Sequence, residues 1–402
     1  MEKPVAVLEL KKGREKPVLN KHPWIFSGAV STIRGGSPEP GDIVDICAHD
    51  KRWLARGYFN QDSQIVARIL TWQQSEPIDH AFWGSRIRQA IDNRVSLKFE
   101  PATTAYRLVN AESDGLPGLI VDRYGEYLVV QLLTLGADRR RDLITSLLVE
   151  QTQPVGIVER SDAKIRKREG LPLVSGILHG HSPPPESTIL ENDRIFGFDL
   201  MKGQKTGLYL DQRDNRREVC ARNYVEQREI LNAFSYTGGF SIYAAHDGAA
   251  SITNIDVSAN ALESAKKNIE LNGLVRPSDE YVADNAFEVL RKYRDSGRQF
   301  DMVILDPPKF AHSRKDISAA CRGYKDLNWL AFRILRPNGL LATFSCSGLI
   351  SADLFQKVIF GAAIDANRDV QIIKHLSHSP DHPVSVCFPE SAYLKGFLCR
   401  VQ

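Results

Sequence analysis

The sequence lacks any long apolar run and any regular pairing of cysteines. No segment of its 402 residues approaches the length that spans a bilayer, and the first seven residues lack the apolar core of a signal peptide. Six cysteines are scattered without the spacing of a disulfide framework or a zinc site, so we expect no metal centre. These absences exclude membrane-spanning and disulfide-rich secreted proteins. We expect a reducing compartment, the cytoplasm.

The formal net charge is only +3, which is too small to indicate nucleic acid by itself. Basic residues nevertheless cluster in three runs: Lys11, Lys12, Arg14, Lys16 and Lys21; Arg139, Arg140 and Arg141; and Lys164, Arg166, Lys167 and Arg168. One interpretation makes each run an ordinary solvated surface. The other makes the runs positive patches that attract phosphate backbones.

The chain is too long for one ordinary core, and its patterning predicts three domains. Residues 1–75 combine short strands with Gly/Pro turns, which predicts a small all-β barrel with a binding role. Residues 76–188 predict a mixed α+β domain that ends near the Pro183–Pro185 run. Residues 189–402 alternate strands and helices, which predicts an α/β domain with a parallel sheet and an antiparallel edge hairpin.

Ligands of such a sheet bind beyond the carboxyl ends of its strands. Gly238 and Gly239 follow the first strand and let the backbone approach a ligand, although a simple tight turn is the alternative. The sequence lacks the full G-x-G-x-x-G fingerprint of a dinucleotide site. Asp256 closes the second strand, where it can accept hydrogen bonds from ribose hydroxyls, and Asp284-Asn285 follows the third. The set favours an adenosine-bearing ligand, S-adenosylmethionine rather than NAD.

An Asp-Pro-Pro turn and a cysteine follow the fourth and fifth strands. The prolines of Asp306–Phe310 leave a stiff turn whose carboxylate and carbonyls, including that of Pro307, suit the amino group of a base. Phe310 can stack on that base, and the alternative is a rigid turn without a ligand. Because these two strands should be neighbours, we expect Cys346 to face Asp306 across the mouth of the cleft.

A thiol in that position is best explained as a nucleophile, with a half-buried structural thiol as the alternative. Carbon 5 of cytosine cannot take a methyl group directly, whereas thiolate addition to carbon 6 makes it nucleophilic. Asp306 would hold nitrogen 3 or the amino group of the ring. A nearby carboxylate disfavours the thiolate, and Lys309 is the nearest candidate to offset it, unless its side chain contacts phosphate.

Motifs of this kind are spread in order over nearly the whole chain: His22–Gly28, Gly41–Val44, Asp114–Asp122, Lys205–Arg213, Asn232–Gly239, Leu271–Gly273, Asp306–Phe310 and Ser345–Ser347. The C-terminal half resembles the class I S-adenosylmethionine-dependent methyltransferases. The whole chain resembles the bacterial large ribosomal subunit methyltransferase I family, 23S rRNA (cytosine-C5)-methyltransferases with an N-terminal PUA domain. The resemblance implies a Rossmann-like seven-stranded sheet, RNA as substrate and a homodimer.

The resemblance also assigns roles to individual positions. Cys346 matches the cysteine that RNA cytosine-C5 methyltransferases use as nucleophile. From the residues themselves, Asp306 and Lys309 are further candidate catalytic residues, Asp306 also lies at the cofactor site, and Pro307, Lys309 and Phe310 would contact the substrate. The positions that match cofactor-binding residues are Thr206, Tyr209, Gln212, Arg213, Phe234, Ser235, Tyr236, Thr237, Gly238, Asp256, Asp284 and Asn285.

One position departs from the wider RNA cytosine-C5 class, in which a second cysteine often follows Asp-x-Pro. Lys309 occupies that position, so the group that removes the carbon 5 proton is not identified. Two alternatives stay open. An N-methyltransferase acting on an adenine or guanine amino group would use Asp306-Pro-Pro without a covalent intermediate. A non-catalytic RNA-binding or assembly factor would keep the cofactor fold as a vestige.

Overall fold

The computed structural model describes residues 3–200 and 208–402, so Thr206 lies outside the described residues. The chain divides into two compact units. The first unit consists of Met1–Ile189, Phe198–Leu210 and Pro380–Ser391. The second unit consists of Leu190–Gly197, Asp211–Ser379 and Ala392–Gln402. Within the described ranges, no helix combines the length and the apolar character needed to cross a bilayer.

The first unit begins with a six-stranded sheet. Its elements are β1 (Ala6–Leu10), α1 (Lys16–Leu19), β2 (Trp24–Phe26), β3 (Val30–Arg34), β4 (Ile43–Cys47), β5 (Trp53–Phe59) and β6 (Ile65–Thr71). The spatial order is β2-β6-β5-β4-β1-β3. The predicted strands β1, β4, β5 and β6 are confirmed, and their apolar residues, such as Leu8 and Ile46, form one core cluster. β2 and β3 lie outside the strands that the sequence predicts.

A five-stranded sheet follows in the same unit. Its elements are α2 (His80–Val95), β7 (Ala105–Asn110), β8 (Leu119–Tyr124), β9 (Tyr127–Leu132), α3 (Leu135–Asp138), α4 (Arg141–Thr152), β10 (Gly156–Ser161) and β11 (Val174–Gly180). The order is β11-β10-β9-β8-β7. Its core cluster also takes in Tyr58 and Leu70 from the first sheet. The boundaries at 75 and 188 stay a prediction.

Two of the three basic runs are partly buried in the first unit. Arg140 is 6% exposed, and its guanidinium donates to the Gly136 carbonyl at 2.7 Å. Arg166 is fully buried and forms an ion pair with Asp138 at 2.9 Å. The interpretation of these two arginines as phosphate-seeking surface charges is therefore wrong, since both guanidiniums neutralise or satisfy groups inside the fold. The first run, by contrast, is exposed at all five basic positions.

The second unit begins with two short strands and two short helices, followed by a seven-stranded sheet. The first elements are the second half of β12 (Thr188–Glu191), then β13 (Arg194–Gly197), α5 (Arg213–Val219) and α6 (Arg222–Val225). The sheet strands are β14 (Glu229–Ala233), β15 (Ser251–Asp256), β16 (Glu280–Ala283), β17 (Phe300–Leu305), β18 (Leu335–Ser345), β19 (Val370–Leu376) and β20 (Lys395–Val401). The helices between them are α7 (Gly239–His246), α8 (Ala259–Leu271), α9 (Ala286–Ser296), α10 (Ile317–Ile334) and α11 (Ala352–Ala366).

The strand order is β16-β15-β14-β17-β18-β20-β19, in which β14 to β18 run parallel and β20 is antiparallel to both neighbours. This confirms the predicted Rossmann-like sheet with an antiparallel edge hairpin. The central strands β14, β15 and β17 are buried along most of their length, as expected for a sheet with helices on both faces. The order reverses between β14 and β17, which is the position where α/β sheets bind ligands.

Candidate active site

The loop after β14 has a backbone that few side chains accept. Phe234, Tyr236 and Gly238 have φ values of +61°, +48° and +79°, in the left-handed region. A Cβ on Gly238 would lie 2.9 Å from the Cβ of Ala265, so only glycine fits without a shift of α8. Strained residues of this kind persist where the surrounding structure holds them, and they cluster at binding sites.

Asp256 holds this loop in place. Its Oδ2 accepts a hydrogen bond from the Tyr236 backbone N–H at 2.9 Å, and its Oδ1 accepts one from the Ser258 N–H at 2.9 Å. The Ser235 N–H donates to the Ile255 carbonyl at 2.9 Å. A carboxylate has about four lone-pair positions, so Asp256 can accept further donors such as ribose hydroxyls. The Ser235 hydroxyl is buried and has no hydrogen-bond partner among the described residues, which leaves it available to a ligand.

The third strand end lies beside the second. The Asp284 N–H donates to the Asp256 carbonyl at 3.1 Å, so the two acids leave adjacent strands. Lys292 donates to the Asp284 carboxylate at 3.0 Å, and this hydrogen bond, with the Asn285 N–H, lowers the pKa of Asp284. The Asn285 side chain accepts from the Phe287 N–H at 2.9 Å and begins α9. A contact of either residue with adenine stays a prediction.

The segment before α5 is largely buried. Gln212 and Arg213 are 2% and 1% exposed. The Gln212 side-chain carbonyl accepts from the Asn215 amide at 2.6 Å, and Arg213 pairs with Asp214 at 3.5 Å. Tyr209 belongs to the first unit. These contacts give Gln212 and Arg213 structural roles, and the cofactor roles of Tyr209, Gln212 and Arg213 stay predictions.

The Asp-Pro-Pro turn begins directly after β17. Asp306 is half-buried, Pro307 is buried, and Lys309 is exposed. Phe310 packs against Tyr324, with ring centroids 4.6 Å apart and an interplanar angle of 36°. Phe310 therefore already has an aromatic partner on one side, which fixes its orientation beside the turn. Stacking of a base on Phe310 stays a prediction.

Cys346 lies at the end of the neighbouring strand. Leu305 of β17 pairs with Thr343 of β18, which confirms that the two strands are adjacent. The half-buried Cys346 thiol is directed at the Pro307 carbonyl, with 3.8 Å between sulfur and oxygen. The structure therefore brings the predicted nucleophile to the Asp306-Pro-Pro turn, at the carboxyl edge of the sheet.

A buried hydroxyl network supports this strand end. Ser345 Oγ lies 3.0 Å from Tyr324 Oη and donates to it, and Tyr324 Oη lies 3.3 Å from Ser347 Oγ. The Ala311 N–H donates to Ser347 Oγ at 3.4 Å. Burial raises the pKa of Tyr324, so its phenol stays protonated. Sequence reasoning does not find Tyr324, because nothing in α10 marks one tyrosine as facing the strand end.

Lys395 is the second residue that sequence reasoning misses. It begins β20 opposite Ser345 and is 7% exposed. Its Nζ donates to the carbonyls of Ser347 and Ile350 at 2.6 and 2.7 Å. Burial lowers the pKa of Lys395 to about 8, with smaller effects of Cys346, which raises it, and Lys309, which lowers it. Nothing in the sequence of β20, which begins with Lys395 and also contains Arg400, shows that this lysine is buried.

Comparison with known proteins agrees with this geometry. The sequence family of PUA-like domains matches residues 8–72, and the family of S-adenosylmethionine-dependent methyltransferases matches residues 176–398. Proteins named Ribosomal RNA large subunit methyltransferase I are 50% identical in Shewanella amazonensis and 49% identical in Shewanella denitrificans, each over 98% of this chain and 99% of the relative.

Among solved structures, SMU.776 complexed with SAH is similar in fold, with a TM-score of 0.86. It is 24% identical, and the match covers 98% of this chain and 99% of that one. The predicted cofactor, S-adenosylmethionine, is confirmed by the family match, and the loop held by Asp256 is a cradle that fits it. The chain therefore belongs to the S-adenosylmethionine-dependent methyltransferases, in the family whose members are named Ribosomal RNA large subunit methyltransferase I.

Proposed function

We propose that this protein transfers a methyl group from S-adenosylmethionine to carbon 5 of a cytosine in 23S ribosomal RNA, through a covalent bond between Cys346 and carbon 6. The observation that carries the proposal is the position of the thiol, 3.8 Å from the Pro307 carbonyl in the Asp306-Pro-Pro turn. The large-subunit substrate is taken from the name of the relatives. Asp306, Lys309, Pro307 and Phe310 surround the place proposed for the base.

The chemistry proceeds in three steps. The Cys346 thiolate forms a bond to carbon 6, and the electron pair of the C5–C6 double bond moves to carbon 5. S-adenosylmethionine supplies the methyl group that carbon 5 takes up, and the broken sulfur–methyl bond leaves its electron pair on sulfur. A base then removes the carbon 5 proton, the double bond re-forms, and the bond between carbon 6 and Cys346 breaks to release the thiolate.

Individual residues of the turn have separate tasks in this scheme. Asp306 hydrogen-bonds nitrogen 3 or the amino group and so stabilises the charge that the ring acquires on thiolate addition. The rigid prolines hold the acceptor atoms of the turn in place. Lys309 is exposed and contacts the RNA near its phosphates, and Phe310, fixed by Tyr324, stacks on the base.

RNA binding is assigned to the PUA-like domain and its exposed first basic run, Lys11, Lys12, Arg14, Lys16 and Lys21. Lysine and arginine side chains on a surface bind phosphates and release counterions. The middle segment, residues 76–188, assists in holding the RNA. The proposal also includes a cytoplasmic location and a homodimer. Sedimentation of the purified protein tests whether it is a dimer.

The test of the nucleophile is Cys346→Ala. We expect this variant to bind S-adenosylmethionine with an unchanged Kd, because the cofactor loop follows β14 and not β18. It should transfer no detectable methyl to ribosomal RNA, whereas the control Cys387→Ala, at an exposed cysteine, should be fully active. Undiminished methylation by Cys346→Ala would rule out the thiol mechanism.

Mapping of the product separates the alternatives. Ribosomal RNA from a deletion strain should lack one 5-methylcytosine that reappears when the wild-type protein is supplied. A missing methyl on an adenine or guanine amino group would instead identify an N-methyltransferase that uses Asp306-Pro-Pro without a covalent bond. An unchanged methylation map, with RNA binding intact, would identify a non-catalytic binding factor.

A further inference from the structure

Lys395 carries a buried charge that the described fold does not balance. Its side chain is 7% exposed, and its two hydrogen bonds go to neutral carbonyls, those of Ser347 and Ile350. Among residues 3–200 and 208–402, no carboxylate forms an ion pair with it. An unpaired buried ammonium is costly, and a hydrophobic side chain would fit the strand at lower cost. A functional reason for the charge is therefore expected.

The lysine is tied to the chain on both sides of Cys346. Lys395 pairs with Ser345 in the β18–β20 ladder, and its Nζ binds the carbonyl of Ser347 at 2.6 Å. Among the described residues, the titratable groups whose charges shift the pKa of Lys395 are Cys346 and Lys309. Since Lys309 is exposed, solvent screens its charge, whereas the buried Lys395 ammonium acts on the sulfur at low local dielectric.

We propose that Lys395 is a positioning residue for Cys346, whose ammonium fixes the loop that carries the sulfur and stabilises its thiolate form. When the S–H bond breaks, its electron pair stays on sulfur and the proton leaves to water, next to a positive charge that is already in place. The inference rests on the proposed function of Cys346 as nucleophile. It assigns to Lys395 the charge that must offset Asp306.

The pH dependence of Cys346 alkylation by iodoacetamide tests this role without RNA. The rate of each cysteine is followed by peptide mass spectrometry in wild type, Lys395→Met, Lys395→Gln and Lys395→Arg. We expect the apparent pKa of the Cys346 reaction to rise by about one unit in the Met and Gln variants, which makes alkylation at pH 7 about tenfold slower. Lys395→Arg keeps the charge and should restore most of the rate.

Controls separate charge from structure. Lys395→Gln keeps amide N–H donors for the two carbonyls, so it serves as the folded, uncharged variant if Lys395→Met does not fold. Thermal melting and S-adenosylmethionine binding check that each variant is folded. Lys357→Met removes an exposed lysine of α11, which pairs with Asp353, and should leave the profile unchanged. A Lys395→Gln protein that folds and shows the wild-type profile would overturn the inference.

The two proposals fail in different ways. If Cys346→Ala methylates RNA normally, the nucleophile proposal is wrong whatever the alkylation profiles show. If Cys346→Ala is inactive while Lys395→Gln leaves the profile unchanged, only the role of Lys395 is wrong.

Discussion

The loop after β14 and the turn after β17 leave the same edge of one sheet, yet they are built differently. The first is shaped by its backbone. Phe234, Tyr236 and Gly238 adopt left-handed conformations, and the Asp256 carboxylate accepts hydrogen bonds from two main-chain N–H groups. The second is shaped by buried side chains, with Tyr324 and Lys395 supporting the strand end that carries Cys346. A change in one region should therefore leave the other intact.

The difference follows from what each region must do. A cofactor is held by many weak contacts, and a fixed backbone supplies N–H and C=O groups at no cost in side-chain entropy. A nucleophile needs one atom at one place with a controlled charge, and that control comes from neighbouring charges and burial. The two strategies predict separable defects.

The largest separable defect is expected for Asp256→Ala. This change removes the acceptor for the Tyr236 N–H and for a ribose hydroxyl, so we expect S-adenosylmethionine affinity to fall by about a hundredfold. Titration calorimetry measures the Kd. The alkylation rate of Cys346 should stay at the wild-type value, and a parallel loss of that rate would show that the two regions are not independent.

A smaller effect, in the opposite region, is expected for Tyr324→Phe. The buried hydroxyl binds Ser345 and Ser347, so its loss should lower the free energy of unfolding by about 1–3 kcal/mol. Methyl transfer should slow while the cofactor Kd stays unchanged. The control is Tyr293→Phe, because Tyr293 packs against the core cluster that contains Tyr324. Urea unfolding measures the free energy of unfolding of both variants. Equal losses in both variants would remove the special role of Tyr324.

The smallest effect concerns pH and Lys395. The pKa of Lys395 is about 8 in the folded protein, and its ordinary value is 10.5. Between these two pH values, Lys395 is protonated in the unfolded chain and largely neutral in the folded protein. Stability from this residue therefore rises with pH above 8. From pH 7.5 to 9.5, we expect wild type to gain about 1 kcal/mol relative to Lys395→Met, after a discount for the part of the side chain that water reaches. Urea unfolding of both proteins at the two pH values measures this gain. If the difference in free energy of unfolding between wild type and Lys395→Met is the same at both pH values, the buried charge is contradicted.

Much of the fold could be predicted from the sequence because its strong signals are local. The parallel strands of the seven-stranded sheet are short runs rich in apolar residues, and the helices that follow them begin after capping residues such as Ser258 and Ser351. The strands that the sequence does not predict have a weaker strand pattern. β2 has only three residues, and β11 contains Gly176 and Gly180 and is largely exposed or half-exposed.

The candidate site divides in the same way. Asp256, Asp306 and Cys346 each lie at or just beyond the carboxyl end of a predicted strand, so strand order alone brings them to one edge. Lys395 reaches that edge only through the β18–β20 pairing, after α11 and β19 have intervened in the chain. The burial of Arg140 and Arg166 is likewise a tertiary property, since local charge patterning does not show which arginines the fold encloses.

The central claim, a covalent bond from Cys346 to the target cytosine, is tested most directly by RNA that carries 5-fluorocytosine. Fluorine in place of the carbon 5 hydrogen prevents the final elimination, so the protein should stay attached to the RNA after methyl transfer. Intact-mass analysis should show this adduct for wild type in the presence of S-adenosylmethionine, with the attachment at Cys346, and none for Cys346→Ala. Methylation of ordinary RNA by a wild-type protein that gives no adduct with the fluorinated RNA would contradict the account.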